Sequence, residues 1–210
     1  MTSHFLSMVF TPAVKAAQRA LGSRDAYVSH DGATQADGLT KNETAFIAAR
    51  DSFYLATVSE TGWPYLQHRG GPKGFVKVID ECTLGLADFR GNRQYVSVGN
   101  IARDDRVALF FMDYPQRRRL KLLGRMRVLD LAKATDVAAA LAHAAYKARV
   151  ERGLIIEVEA FDWNCPQHIT PRYTQEEIAP MIEALKARIA ELENHLEQPA
   201  GAAAAARLEE

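Results

Sequence analysis

The sequence has few cysteines, no net charge and no long apolar run. Cys82 and Cys165 are its only cysteines, which is too few for a disulfide framework and favours a reducing cytoplasm. Its 26 Lys and Arg balance its 26 Asp and Glu, so no global field favours nucleic acid or an anionic membrane. No apolar run approaches the roughly 20 residues that span a bilayer, and no secretory signal is indicated. We expect a cytoplasmic, single-core protein that binds neither nucleic acid nor membrane.

The first part of the chain predicts helices separated by a loop. Thr11 as N-cap and Pro12 at the first helical position predict a helix over 11–21. Residues 29–39 are rich in Ser, Asp, Gly and Thr and predict a loop. Thr40 and Glu43 have the spacing of a capping box, which predicts a second helix over about 41–51. Residues 1–39 therefore form a helical lead-in to the main domain.

The middle of the chain is rich in short strands. Strands are predicted at 53–58, 63–67, 75–79, 83–88, 107–112, 120–129 and 153–161, and helices at about 92–102 and 133–150. The apolar run 107–112 predicts a strand that is buried on both sides. Six or more antiparallel strands at close spacing favour a barrel over a doubly wound sheet. The predicted fold is mainly β with flanking helices.

The carboxy-terminal part predicts a long amphipathic helix over 174–197, followed by a flexible tail over 198–210. Its apolar residues recur at alternating spacings of four and three, which indicates a coiled-coil-like seam. The seam consists of Ile178, Met181, Ile182, Leu185, Ile189, Leu192 and Leu196. Two interpretations stay open, because the helix could pack on its own barrel or on a partner chain.

The stretch from Gln67 to Arg93 carries the strongest functional signal. Two predicted strands deliver glycines, cations and an amide to neighbouring turns. Glycine lets the backbone approach a ligand, and arginine offers a charged fork that matches phosphate oxygens. The pattern favours a cradle for a phosphorylated cofactor over a pair of hairpin turns with solvated charges.

Several segments together resemble the pyridoxamine 5′-phosphate oxidase-like family of FMN-binding split barrels. They are His68-Arg69-Gly70-Gly71-Pro72, Gly74-Phe75-Val76-Lys77-Val78, Ala87-Asp88-Phe89-Arg90-Gly91-Asn92-Arg93, Arg119-Leu120-Lys121-Leu122-Leu123-Gly124-Arg125 and Asp162-Trp163-Asn164-Cys165-Pro166-Gln167-His168-Ile169. The last is similar to an Asn-Cys-Pro segment found in a subgroup of the family. The resemblance covers residues 40–173 and implies a six-stranded antiparallel split β-barrel.

The resemblance also implies a cofactor and an assembly. In such proteins FMN lies between two subunits, so we expect a homodimer with FMN at its interface. Asn92 and Arg93 fall where the family places a Ser-Arg pair on the phosphate, and Gln94 falls where the oxidase usually has lysine. Lys77 lies on the strand that supplies another phosphate cation, and Arg119 on the strand that faces the isoalloxazine.

Further residues complete the predicted site. A helix that begins near Asn92 would direct its free N–H groups at the phosphate. Asp88 and Arg90 could bond the ribityl chain, and Trp163 or Gln167 could approach the ring from the second subunit. His68 and Arg69 complete the set; His68 either donates to the flavin or substrate or has a local structural partner.

The function implied is that of an FMN-dependent oxidoreductase acting on an unknown small substrate, with NADH or NADPH as a possible electron donor. The alternative is a non-catalytic module, such as a flavin store, redox sensor or haem-associated partner, and a deazaflavin is a third option. The oxidase's basic carboxy-terminal substrate segment is not found here. Cys165 and His168 are two potential ligands where a structural zinc site needs four, so no metal site is predicted and no catalytic residue is assigned.

Overall fold

The computed structural model describes residues 3–143, 145–163 and 165–197. The predicted tail over 198–210 and Asn164 lie outside the described residues. The chain divides into two compact units, residues 1–169 and 170–210. Within the described ranges, no helix is both long enough and apolar enough to cross a membrane.

The amino-terminal helices follow their capping signals. Helix α1 spans Ser3–Val9, α2 Pro12–Ala20 and α3 Lys41–Ala48, and a 3-10 helix spans Arg24–His30. The hydroxyl of Thr11 accepts a hydrogen bond from the N–H of Val14, and Thr40 and Glu43 form the predicted capping box. The sequence had not predicted α1, which has no acidic residue in its first turn. Tertiary packing supports it instead, because Phe5 and Leu6 are buried against Ala160.

The first unit is built on one antiparallel sheet of seven strands. The strands are β1 Ser52–Val58, β2 Pro64–Gly70, β3 Val76–Asp80, β4 Thr83–Phe89, β5 Arg106–Asp113, β6 Arg118–Leu129 and β7 Val150–Trp163. Their order is β2-β1-β5-β6-β7-β4-β3, and every pairing is antiparallel. The predicted mainly β class with flanking helices is confirmed, although the sheet has seven strands where the resemblance implied six.

The core lies on the inner face of this curved sheet. Phe53 and Phe111 stack with ring centroids 5.0 Å apart, and both side chains are almost fully buried. The prediction that 107–112 is buried on both sides is wrong for a single chain, because β5 alternates between buried and half-exposed residues. Such alternation is typical of an antiparallel strand with only one face on the core.

Two predicted helices are much shorter than expected. Helix α4 spans Val96–Ile101 rather than 92–102, because Arg93 and Tyr95 have left-handed backbones with φ of 65° and 54°. Helix α5 spans Thr135–Leu141 rather than 133–150, since the backbone becomes extended at Ala142. Alanine favours helix, but propensity is weak against tertiary context.

The sheet curls until its two ends approach one another. Part of the bend lies at Gly124, where the register between β6 and β7 shifts. A Cβ atom at this position would lie 2.3 Å from the carbonyl oxygen of Glu157, so the close approach requires glycine.

The second unit contains helix α6, Gln175–Glu197. Its start is a reciprocal cap: the N–H of Glu177 donates to the hydroxyl of Thr174 at 3.2 Å, and the N–H of Thr174 donates to the Glu177 carboxylate at 2.8 Å. Six large apolar side chains on this helix are exposed. They are Met181, Ile182, Leu185, Ile189, Leu192 and Leu196.

Candidate functional site

A cleft of about 190 Å³ opens where the two ends of the curled sheet meet. Its walls are the inward-facing side chains of β2, the end of β4, the loop over 91–95, the first turn of α4 and Glu151 at the start of β7. Strands β2 and β4 are not neighbours in the sheet, so the cleft exists only because the sheet curls.

Strand alternation decides which residues of β2 face the cleft. Tyr65, Gln67 and Arg69 line it, as expected for residues two apart on one strand. His68 points to the opposite face, where it is exposed and packs edge-on against Tyr54 at 5.6 Å. The strand predicted over 63–67 is longer than expected, because β2 continues to Gly70, so His68 and Arg69 lie on a strand and not in the turn that follows it.

Asp88 anchors the floor of the cleft through two arginines. Its carboxylate lies 2.6 Å from Arg69 on β2 and 3.3 Å from Arg152 on β7, and Asp88 is only 6% exposed. A buried carboxylate needs such partners, because desolvating an unpaired charge costs several kcal/mol. The buried Nε of Arg69 has no hydrogen-bond partner within the described part of the chain.

Glu151 gathers a second set of contacts at the mouth of the cleft. It lies 2.9 Å from Arg152 and 3.4 Å from Arg90, and it accepts a hydrogen bond from the hydroxyl of Tyr95 at 3.2 Å. Burial raises the pKa of Glu151, but the hydrogen bonds from Arg152 and Tyr95 outweigh it, and the pKa lies below its ordinary value. Glu151 is therefore an ionised carboxylate at neutral pH.

The loop over 91–95 presents exposed donors to the same cleft. The N–H of Gln94 donates to the side-chain oxygen of Asn92 at 3.1 Å, and the Nε of Arg93 donates to the Tyr95 hydroxyl at 3.4 Å. That hydrogen bond is the main cause of the raised pKa of Arg93. Left-handed backbones at Arg93 and Tyr95 are unusual for residues with side chains, and such strain clusters at ligand sites.

The structure brings five of the predicted site residues together around this cleft. They are Arg69, Asp88, Asn92, Arg93 and Gln94. Arg90 borders the group through its ion pair with Glu151. The predicted helix N-terminus at Asn92 is wrong, because α4 begins at Val96.

Other predicted residues lie away from the cleft in a single chain. Lys77 on β3 has its Nζ 3.4 Å from Nε2 of His143. Arg119 lies at the start of β6, with its guanidinium carbon 6.0 Å from the centroid of the Phe110 ring. Gln167 is exposed beyond the end of β7, as are Cys165 and His168.

Trp163 has a structural partner in helix α3. Its indole N–H donates to the Glu43 carboxylate at 2.6 Å, and its ring packs against Phe46 at 4.7 Å and under the guanidinium of Arg118 at 4.5 Å. Burial raises the pKa of Glu43, but hydrogen bonds from Thr40, Trp163 and Asn42 hold it below its ordinary value.

Sequence reasoning missed several residues in the cleft and beside it. Glu151 and Arg152 were not predicted as site residues because they fell between a helix predicted to end at residue 150 and a strand predicted to begin at 153. In the structure β7 starts at Val150 and includes both residues. Ser97 donates to the side-chain oxygen of Gln67 at 3.0 Å across the cleft. The period-two pattern of β2 could have identified Gln67, but no local signal pairs it with Ser97.

Comparison with known proteins gives the family. A family model described as pyridoxamine 5′-phosphate oxidase matches residues 39–196. Solved structures with similarity include HupZ of Group A Streptococcus (16% identity, TM-score 0.44, 64% of this chain and 100% of that chain) and an FMN-binding protein from Syntrophomonas wolfei (15%, 0.44, 58% and 83%). Another is a protein of the pyridoxinephosphate oxidase family from Clostridium acetobutylicum (14%, 0.43, 65% and 94%). No curated protein matches the chain. The family match spans more than half of the sequence, and the chain belongs to the pyridoxamine 5′-phosphate oxidase family.

Proposed function

We propose that this protein binds FMN, with the phosphate in the cleft between β2 and the loop over 91–95, and acts as an FMN-dependent oxidoreductase on a small substrate. The observation that carries the proposal is the charge of the cleft. Arg69 and Arg93 line the cleft together with the carboxylates of Asp88 and Glu151. Arg90 and Arg152 pair with these carboxylates from beside the cleft, so four arginines meet two carboxylates and two positive charges are uncompensated.

A phosphate monoester matches this arrangement in charge and in hydrogen bonding. It carries roughly −1.5 to −2 charges near neutral pH and three acceptor oxygens. The exposed guanidinium of Arg93 and the amide of Asn92 supply donors at the mouth of the cleft. Asp88 is already paired with two arginines and Glu151 is ionised within its own network, so neither need contact the phosphate directly.

The size of the cleft supports a shared cofactor site. A cleft of about 190 Å³ is smaller than the roughly 300–1,000 Å³ of pockets that bury whole drug-sized ligands. It has room for a phosphate and part of a ribityl chain, and the ring system must be covered elsewhere. A second copy of the chain would supply that cover, and we propose that the protein is a homodimer with FMN at its interface.

The chemistry assigned to the chain is binding and orientation. FMN supplies the capacity to accept and release electrons when it is bound. Among the described residues that line the cleft there is no histidine or cysteine, and both carboxylates have arginine partners. The side chains of the cleft therefore hold the phosphate end of the cofactor in place.

An absorbance spectrum of the purified protein, followed by mass identification of the released chromophore, tests the proposal. Flavin bands and released FMN are the expected result. A colourless protein that also fails to take up added FMN would overturn the proposal. Release of a deazaflavin or haem would show that the protein binds that cofactor and not FMN.

Turnover separates the enzyme from a non-catalytic flavin module. We expect NADH or NADPH to bleach the flavin bands under anaerobic conditions, and reoxidation to restore them over repeated cycles. A protein that binds FMN tightly, yet is reduced by neither nucleotide and turns over no substrate, would be a flavin store or redox sensor instead.

A further inference from the structure

Helix α6 carries an unbroken heptad pattern. Numbered with Ile182 at an a position, the seam places Ile182, Ile189 and Leu196 at a, and Ile178, Leu185 and Leu192 at d. The helix is continuous from Gln175 to Glu197, so these residues form one stripe over its whole length of roughly 35 Å. Apart from Met181 at g, these large apolar residues occupy only a and d positions, as in the narrow seam of a coiled coil rather than the broader face of a helix that covers a core.

The seam is bare in one chain. The side chains from Met181 to Leu196 along it are between 40% and 85% exposed. Soluble monomers rarely expose contiguous apolar stripes of this kind, which mark interaction surfaces. We propose that α6 pairs with α6 of a second copy of this chain as a parallel, two-stranded coiled coil.

The identity of the seam residues selects this partner. Isoleucine at a with leucine at d favours two parallel strands, whereas isoleucine at both positions shifts the preference to larger bundles. Here the two central a positions are Ile182 and Ile189, and the two central d positions are Leu185 and Leu192. The central pattern therefore favours two helices, and the terminal Ile178 at d and Leu196 at a are its two exceptions.

The flanking charges fit the same register. In a parallel pair each g residue faces the e residue five positions later in the partner. Arg188 occupies g and Glu193 occupies e, five residues on, so an in-register dimer brings two opposite-charge pairs together. In one chain Arg188 lies 2.7 Å from Glu191. Because this ion pair is exposed, giving it up for a contact with Glu193 of the other copy costs little free energy.

The proline in the helix is compatible with the pairing. Pro180 falls at an f position, which faces away from the partner in a coiled coil. The reciprocal cap between Thr174 and Glu177 fixes the start of the helix just before the first d residue, Ile178. The coiled coil does not involve the cleft, so this proposal stands independently of FMN binding.

Disulfide trapping tests the pairing directly. In a chain whose exposed Cys82 and Cys165 are changed to serine, we introduce Leu192→Cys at d, with Asn194→Cys at f as the matched control. Parallel pairing holds the two d positions within disulfide distance, so Leu192→Cys should form a covalent dimer roughly tenfold faster than Asn194→Cys. In an antiparallel pair centred on the seam, the two copies of residue 192 would be about 15 Å apart along the axis.

Equal cross-linking rates for the two variants would overturn the proposal, whatever the mass of the native protein or its flavin content. A charge reversal then tests the register. Arg188→Glu in the Leu192→Cys chain should slow cross-linking about threefold, because it faces Glu193 of the other copy, and the added change Glu193→Arg should restore the rate. Absence of recovery in the double variant would overturn the parallel register.

Discussion

The guanidinium of Arg69 on β2 lies 2.6 Å from the carboxylate of Asp88 on β4, although four strands separate β2 from β4 in the sheet. The ion pair therefore spans the gap where the curled sheet closes. Arg69 and Asp88 both line the cleft. One contact thus joins the edge strand β2 to β4 across the curled sheet and fixes the position of a cation in the proposed phosphate site.

Asp88→Ala should lower the free energy of unfolding by about 3–5 kcal/mol, because it leaves the half-buried Arg69 without its carboxylate and removes one of the two carboxylates that pair with Arg152. Urea unfolding measures the loss. Glu60→Ala removes an exposed partner of Arg103 and should cost less than about 1 kcal/mol. Similar small losses in both variants would contradict a structural role for the Arg69–Asp88 pair.

Glu43→Gln should lower the free energy of unfolding at neutral pH by about 1–3 kcal/mol, because three donors lose the charged acceptor that they share. Glu43 is 4% exposed and accepts hydrogen bonds from Thr40, Asn42 and Trp163. Glu60→Gln, at an exposed position, is the control and should have little effect.

The pH dependence of that loss has a definite sign. The pKa of Glu43 in the folded protein lies below 4.5, so its contribution is complete above the unfolded pKa and disappears as the pH falls through the folded pKa. The difference between wild type and Glu43→Gln should therefore shrink from about pH 6 to about pH 3. A difference that stays constant or grows on acidification would contradict the hydrogen-bonded carboxylate.

Arg93→Ala should weaken FMN binding by roughly 10- to 100-fold, the range for a charge-assisted hydrogen bond, while leaving the fold intact. Arg93 is exposed on the loop over 91–95 and supports no core residue. Flavin occupancy after dialysis measures the effect. Arg103→Ala, at a site 74% exposed, is the control, and unchanged occupancy in Arg93→Ala would remove Arg93 from the phosphate.

Flavin content should depend on dimer formation, because one chain offers only the phosphate end of the site. Light scattering at micromolar concentration should report a dimer, and dilution below its dissociation constant should release FMN in parallel with monomer. A monomer that retains its flavin would contradict the shared site.

Much of the fold could be predicted because its signals are local. Thr11 and Thr40 mark the starts of helices because their side chains accept the capping hydrogen bonds. The alternation of apolar residues predicts the bounds of most strands to within a few residues of those observed. The predictions were wrong where contacts between residues far apart in the sequence determine the local structure. The left-handed backbone of Tyr95 prevents α4 from beginning before Val96. The hydroxyl of Tyr95 donates a hydrogen bond to Glu151, 56 residues away in the sequence.

The residues of the candidate site, too, could be predicted only where the signal is local in the sequence. Residues 88–94 could be identified because the loop is one continuous stretch of glycine, cations and amides. Arg152 could not, since it reaches the Asp88 carboxylate only through the pairing of β7 with β4, where it lies opposite Asp88. The orientation of His68 could not be predicted, because the prediction ended β2 three residues early and lost the alternation that turns its side chain away from the cleft.

Arginines outnumber carboxylates at the cleft, so ionic strength should affect the stability of the apo-protein and its affinity for the cofactor in opposite directions. Added salt screens the repulsion that the exposed Arg90 and Arg93 experience and should stabilise the apo-protein, because the half-buried pair of Arg69 with Asp88 is screened much less. The same screening weakens attraction for a phosphate and should lower cofactor affinity. Buffers chosen to keep the apo-protein folded would therefore be those in which it loads least well.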